Sequence, residues 1–377
     1  MRLRRAMSYP QEMRLNPAES PNSGKPGELT LLARIRARAA KAPDSRLRLG
    51  IGDDCALIRL RPGEELAVTT DLSIAGRHFR LDWHRPEAIG HRTLARGLSD
   101  LAAMGARPVA AFLSLGLPRG LIQNKKARSA WHREKTWIDR FLDGFLSLAE
   151  AHKTILAGGD LAESPILIAD IVLTGAVRRG KALLRSGARP GDLLYVTGSL
   201  GGAAAGLAQM EQLAKASKAA RQNRPARPPQ LPSIPCKLEV QLAPHLFPEP
   251  RIAQGLWLAR HSVATAAIDL SDGLSTDLRH LCEESGVAAE VDASALPIYS
   301  AGTQGPAATQ AQALHGGEDY ELLFTAPPSA RVPRSIAGVP VTCIGRILRQ
   351  RQSRPLVAIL TAHGLQPLTP QGWQHFA

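Results

Sequence analysis

The stretch PEAIGHRTLARGLSDLAAMGARPVAAFLSLGL, residues 86–117, carries a helix straight into a strand. Pro86 suits the first helical position, where an N–H has no partner anyway, and Gly105 suits the stop. VAAFLSLGL (109–117) then reads as a strand. Working outward, ELAVTTD (65–71) reads as a strand ending in a carboxylate, and ELTLLARIRARAA, from Glu28, as a short amphipathic helix. Residues 136–152 read as helix, TILAGGD (154–160) as a strand entering a glycine turn, and ILIADIVLTGAV (166–177) as strand. Strands mixed with helices over about 150 residues define one α/β unit.

GARPGD (187–192) reads as an interdomain turn. Beyond it, DLLYVTG is a strand and GGAAAGLAQMEQLAKA a helix. KAARQNRPARPPQLPSIP (218–235) packs Pro225, Pro228, Pro229, Pro232 and Pro235 among basic residues. It reads as a surface insertion that is neither helix nor central strand. A helix near 251–261, a strand ATAAIDL, a helix from Gly273 to Glu284 stopped by Gly286, and strands YELLFTA and VTCIGRI follow. The expected organisation is a frayed tail over 1–26, an N-terminal unit over 27–180 and a C-terminal α/β unit over 187–377. The insertion occupies about 211–237 of the second unit.

Composition narrows the function. The chain has 377 residues, 44% hydrophobic and 21% charged, enough for sizeable cores. Its net charge of +14 invites a nucleic-acid reading. However, residues 1–48, 119–140 and 211–237 carry +7, +5 and +5, which leaves the rest at −3. The charge thus belongs to a tail and two surface segments, and only 4% of residues are aromatic, so no specific nucleic-acid partner is expected. Four cysteines, Cys55, Cys236, Cys282 and Cys343, form no CxxC and fit a reducing compartment. No apolar run approaches 18 residues, and MRLRRAMSYPQEM has no apolar run after it. Neither a membrane span nor a secretory signal is expected, and the expected location is cytoplasmic.

The chemistry lies in the acids. They recur in GIGDDCA (50–56), TTDLSIAGRHF (69–79), GGDLAESP (158–165), AIDLSDGL (267–274) and GGEDYEL (316–322), with Asp100 inside a helix. Any single Asp-Gly pair is most simply a turn, and Ser271 or Asp272 alone reads as a helix N-cap. Five such blocks together point instead to a metal–phosphate site, since magnesium bridges carboxylates to substrate phosphates. Composition leaves calcium, magnesium and plain turns open at this point. Competing motifs fail. GAVRRGKA (175–182) starts like a phosphate loop but ends in Ala182 where a hydroxyl residue is needed. GIGDDC is not GxGxxG, and the 11 histidines show no metal-ligand spacing.

GIGDDCALI, TTDLSIAGRHF, LARGLSDLAAMGARP, GGDLAESP, LLRSGARPGD, AIDLSDGLSTDL and ALHGGEDYELLFT, in that order, closely resemble the thiamine-monophosphate kinase family. The similarity runs from about Gly27 to GWQHF. The resemblance implies a two-domain α/β fold of the aminoimidazole ribonucleotide synthetase type, whose N-domain strands form a barrel in a homodimer. It implies transfer of the γ-phosphoryl of ATP to thiamine monophosphate, assisted by several Mg2+ ions. Asp54, Thr69, Thr70, Asp71, Asp100, Asp160, Asp269 and Asp272 match the family's magnesium positions. Gly159, Asp160, Arg185 and Ser271 match ATP contacts, and His78, Glu318 and Trp373 the thiamine side. Asp71, Asp100 and Asp160 are the expected catalytic set, and Trp373 is expected to stack on a thiamine ring.

The chain also departs from the family. Leu161-Ala162 stand where many relatives have hydroxyl residues, and neither the insertion nor the basic N-terminal segment matches a family role. Related activities fit less well. A selenophosphate synthetase needs a cysteine in the first 50 residues, and none is present. A hydrogenase-maturation protein needs a C-terminal cysteine, whereas this sequence reads QHFA there.

Overall fold

In the computed structural model, residues 28–39, 46–51, 53–122, 135–221, 236–301 and 307–372 are described. The tail over 1–26 and Trp373 lie outside them. The first part of the chain forms α1 (Glu28–Arg38), β1 (Leu47–Leu49), β2 (Leu57–Ile58), β3 (Glu64–Ile74), α2 (Pro86–Ala103), β4 (Arg107–Leu117), α3 (Arg119–Ile122), α4 (Trp137–Ala151), β5 (Ile155–Gly158), β6 (Leu161–Glu163) and β7 (Ile168–Arg178). The second part forms β8 (Leu193–Thr197), α5 (Gly202–Arg221), α6 (Cys236–Leu246), α7 (Ile252–His261), β9 (Ala266–Asp269), α8 (Leu274–Ser285), β10 (Val287–Asp292), α9 (Gln310–His315), β11 (Leu322–Ala326), β12 (Ser335–Ile336), β13 (Val339–Arg349), β14 (Val357–Thr361) and β15 (Gly364–Pro367).

Two sheets result. The first runs β3-β7-β4-β5, with β6 beside β5 on the same edge of β4. β3 and β7 pair antiparallel along their whole length, from Glu64 opposite Arg178 to Ile74 opposite Ile168. β5 and β6 both pair parallel with β4. The second sheet runs β15-β14-β10-β13-β8-β11-β9 and mixes directions, with β10 and β14 parallel and the flanking pairs antiparallel. β7 ends at Arg178 and β8 starts at Leu193, so GARPGD joins strands of different sheets.

α2 organises the interior. Ile89, Leu94, Leu98 and Leu101 join Leu113, Ile171 and Leu173 of the first sheet, Phe141 and Phe145 of α4, and Leu322 and Phe324 of the second sheet in one buried cluster. Period-two alternation divides β11 between two cores: Leu322 and Phe324 face α2, while Leu323 faces Leu278 and Leu281 of α8. α2 is thus packed between the sheets, and its polar residues emerge where the two meet.

Two sequence expectations are corrected and one alternative reading is set aside. β3 does not end at Asp71 but continues to Ile74, because β7 supplies a partner opposite every residue of it. α5 runs through Lys218–Arg221 at the head of the proline-containing stretch, whose first proline comes only at Pro225. Neither Ser271 nor Asp272 caps α8. Gly273 holds that position at φ 109°, and the Asp277 carboxylate accepts the N–H groups of Asp272 and Gly273. Among the described residues no helix is long and apolar enough to cross a membrane.

Candidate active site

Between the sheets lies a cleft of about 770 Å³. Asp71, Asp100, Asp269, Ser271, Asp272, His78 and Glu318 all line it. Alternation along β3 turns Thr69 and Asp71 inward, where Thr69 Oγ1 donates to Asp100, and leaves Thr70 exposed on the outer face. On α2, Arg92, Arg96 and Asp100 follow at four-residue spacing and share one face. Ser99 beside them donates to Asp269 Oδ2 at 2.8 Å, fixing the end of β9.

The acids carry shifted affinities for protons. Burial pushes Asp71 up to about 6, with Arg96 opposing and Asp100 adding to the rise. Burial also raises Asp100, reinforced by Asp269, and raises Asp269, reinforced by Asp71. Arg185, though exposed, acts on both Asp100 and Asp269 and opposes their rise.

Residues 316–318 and Tyr320 line the cleft beside the end of β9, where Glu318 N–H donates to Ser271 O at 2.8 Å. Glu318 (φ 68°) and Tyr320 (φ 51°) are non-glycine residues in the left-handed region, a conformation that surrounding contacts must sustain. Those contacts are present. Asp319 accepts from the N–H groups of Gly201 and Ala203 at 2.6 and 3.0 Å, and Arg251 holds both oxygens of Glu321 at 2.6 Å. Buried Arg92 donates to both oxygens of Glu318, at 2.7 and 2.8 Å, and to the carbonyls of His78 and His245. Burial alone would raise the Glu318 carboxyl, but the charge and hydrogen bonds of Arg92 bring it below its usual range. His84 and His245 stand Nε2 to Nε2 at 3.0 Å. Burial and then Arg92 lower both, His84 to about 4, so the pair is neutral.

Not every expected residue enters this cleft. Asp54 and Asp160 are exposed and outside it, as is Gly159 at φ 143°, where a Cβ would stand 1.8 Å from Leu113 O. Leu161 and Ala162 lie in β6 beside β4. Sequence reading missed Arg92, Arg96, Ser99, His84, His245 and Tyr320. The signal for two of them was present, since the cations Arg92 and Arg96 stand eight and four residues before Asp100 and fall on the same helix face. A second cleft, of about 670 Å³, is lined by Arg61, Arg107, Lys153 and the start of α7 and contains no cluster of acids.

This architecture is a class before it is a family. Residues 52–177 match the model of the AIR synthase related protein, N-terminal domain, and residues 189–356 that of its C-terminal domain. The chain is also 36% identical over 361 residues to thiamine-monophosphate kinase of Escherichia coli strain K12, covering 93% of this chain and 98% of that one. The structure of thiamine-monophosphate kinase from Stenotrophomonas maltophilia K279a superposes with a TM-score of 0.69 at 38% identity, covering 87% of this chain and 95% of the other. AaThiL complexed with AMPPCP and TMP superposes at 0.64 with 29% identity, covering 93% and 97%. The chain belongs to the thiamine-monophosphate kinase family.

Proposed function

We propose that the protein transfers the γ-phosphoryl of ATP to the phosphate of thiamine monophosphate, giving thiamine diphosphate and ADP. The observation that carries this reading is one cleft lined by two unlike groups. Three acids, Asp71, Asp100 and Asp269, line it together with His78 and the clamped Glu318. The named partners of the AaThiL complex, AMPPCP and TMP, support the same pair of substrates.

The donors fit Mg2+. Asp71, Asp100 and Asp269 are hard oxygen ligands, and all three carboxyls are raised, first by burial and then by one another's charge. Among the described residues no group of three or more His, Cys, Asp or Glu side chains is placed to hold a metal ion by itself. Mg2+ commonly keeps several waters and takes one or two carboxylates together with substrate phosphates. We assign Asp54, Thr69, Thr70, Asp71, Asp100, Asp160, Asp269 and Asp272 to the ions, Gly159, Asp160, Arg185 and Ser271 to ATP, and His78, Glu318 and Trp373 to the acceptor. Bound Mg2+ would neutralise the facing phosphates so that they can approach.

The protein's own residues do the positioning. Thr69 and Ser99 orient Asp100 and Asp269, and Arg92 fixes Glu318. Transfer of this kind needs alignment and charge stabilisation more than covalent help. The acceptor phosphate is already ionised, so no strong base is required and transfer is direct and in line. The division at 27–180 and 187–377 is ours, supported by the change of sheet after Arg178. A cytoplasmic setting is supported by the free thiols Cys55, Cys282 and Cys343.

We further propose a homodimer. β3 forms one edge of the first sheet while β5 and β6 form the other. Leu66, Val68 and Leu72 on the outer face of β3 are 45–57% exposed, an apolar strand that a second copy would cover. Closing two such sheets into a barrel brings the edge with Gly159-Asp160 of one copy toward β3 of the other. The test is a coupled assay with ATP, Mg2+ and either thiamine monophosphate or free thiamine. Product from the monophosphate alone, lost in Asp71→Ala, is the expected result; product from thiamine alone would overturn the choice of acceptor.

A further inference from the structure

Two cations lining the cleft, Arg77 and Arg96, keep uncommitted donors among the described residues, and of the two Arg96 is the one that is half-buried rather than exposed. Arg92 spends its terminal nitrogens on Glu318, His78 and His245. Arg80 is bound to both oxygens of Asp82 and lies over the Trp83 ring. Arg77 is exposed. Arg96 makes a single contact, Nε to Asp71 Oδ1 at 3.3 Å, long beside the 2.7–2.9 Å or so of a strong charge-assisted bond. Neither of its terminal nitrogens has a hydrogen-bond partner among the described residues. Its side chain is 20% exposed, and that exposure is to the cleft.

The position matters as much as the free donors. Arg96 lies one turn from Asp100 on one side and one turn from Arg92, the holder of Glu318, on the other. It therefore stands between the acids assigned to the metal and nucleotide and the carboxylate assigned to the acceptor. Its charge acts on Asp71, Tyr320 and Glu318 alike. A planar guanidinium presents a fork of donors matched to phosphate oxygens, and it keeps its charge throughout.

We propose that Arg96 is a further catalytic residue, whose guanidinium binds the phosphoryl oxygens where donor and acceptor phosphates meet. The inference rests on the phosphoryl-transfer reading above. In the step it serves, an oxygen of the acceptor phosphate forms a bond to the γ-phosphorus. The bond from that phosphorus to the β,γ-bridging oxygen breaks, and the oxygen leaves on ADP with the electron pair. No proton moves and nothing is oxidised. Arg96 donates hydrogen bonds to the non-bridging oxygens and gives up its long contact to Asp71, which is then free for a cation.

The test compares wild type with Arg96→Ala and Arg96→Lys. Turnover is read with ATP and thiamine monophosphate, and nucleotide affinity by calorimetry with Mg2+ and a non-hydrolysable ATP analogue. Loss of a phosphoryl-binding arginine is expected to lower kcat about 10²–10³-fold, within the range seen for oxyanion donors and arginine fingers. Analogue affinity and Tm should stay near the wild-type values, Lys should restore only part of the rate, and added guanidinium ion should rescue the Ala variant. Activity of Arg96→Ala close to wild type overturns the proposal while the kinase reading stands. So does an equal loss of analogue binding and Tm with no rescue, which would make Arg96 only a counter-ion to Asp71. A wild-type protein that binds the analogue but forms no product sinks the kinase reading and this inference with it.

Discussion

Glu318 joins two requirements that conflict, and the conflict makes a prediction. Its backbone occupies a left-handed conformation that a glycine would adopt more easily, yet its carboxylate is held by two bonds from buried Arg92. Glu318→Gln keeps the shape and removes the charge. We expect the KM for thiamine monophosphate to rise at least tenfold, about 1.4 kcal/mol of binding, with affinity for the ATP analogue unchanged. Equal losses for both substrates would show that Glu318 does not serve the acceptor alone. Glu64 supplies a pH-dependent case away from the site. The side-chain hydrogen bonds of buried Arg46, one of them 3.0 Å long, hold its carboxyl down at about 2 from an ordinary 4.5. A carboxyl depressed by folding stabilises the protein fully above 4.5, and that contribution is lost as pH falls toward 2. Wild type should therefore melt higher than Glu64→Gln at pH 7, with the gap narrowing steadily below pH 4.5. A gap independent of pH would show that the ion pair contributes nothing.

At the scale of elements, α2 depends on how closely α4 approaches it. A Cβ on Gly90 would stand 1.9 Å from Phe141 O, and one on Gly144 would stand 1.9 Å from Glu87 O. Each helix presents bare backbone to the other, so Gly90→Ala or Gly144→Ala must push them apart. Overpacking of this kind costs about 1–3 kcal/mol. Because α2 carries Arg92, Arg96 and Asp100, either variant should also lower activity, and urea unfolding beside the kinase assay reads both effects. α2 was legible because its signals are local, with Pro86 at its start and Gly105 past its end. The continuation of β3 past Asp71 was not, since only the facing β7 makes Leu72–Ile74 strand. α6 was hidden for a similar reason. It begins at the end of a proline-rich segment and holds Pro244, normally a helix breaker, in its last turn. β10, β14 and β15 are short, and pairing with one another and with β13 is what defines them. The candidate site divides along the same line. Acids beside glycines stand out in a sequence, whereas the partners that orient them come from distant strands and helices.

For the whole molecule, the open question is whether one chain suffices. Asp71 and Gly159-Asp160 stand at opposite edges of the first sheet, with β7 and β4 between them, so no single copy brings both to one nucleotide through that sheet alone. The outer face of β3 offers a physical reason for a second copy. Leu66, Val68 and Leu72 lie on one side of a long edge strand, and a solitary protein would be expected to break such a surface with charge. The +14 net charge does not do so, because its excess lies in the tail, in 119–140 and in 211–237. Val68→Glu adds one charge at the centre of this face, on the side of β3 opposite Thr69 and Asp71 and shared with Thr70. If two copies close a barrel, light scattering should report a dimer for wild type and a monomer for the variant. Analogue binding should weaken along with dimerisation while the Tm of the monomer remains measurable. A monomeric Val68→Glu protein with full activity would mean that each chain completes its own site, and Gly159-Asp160 would then have to be dropped from the nucleotide-binding set.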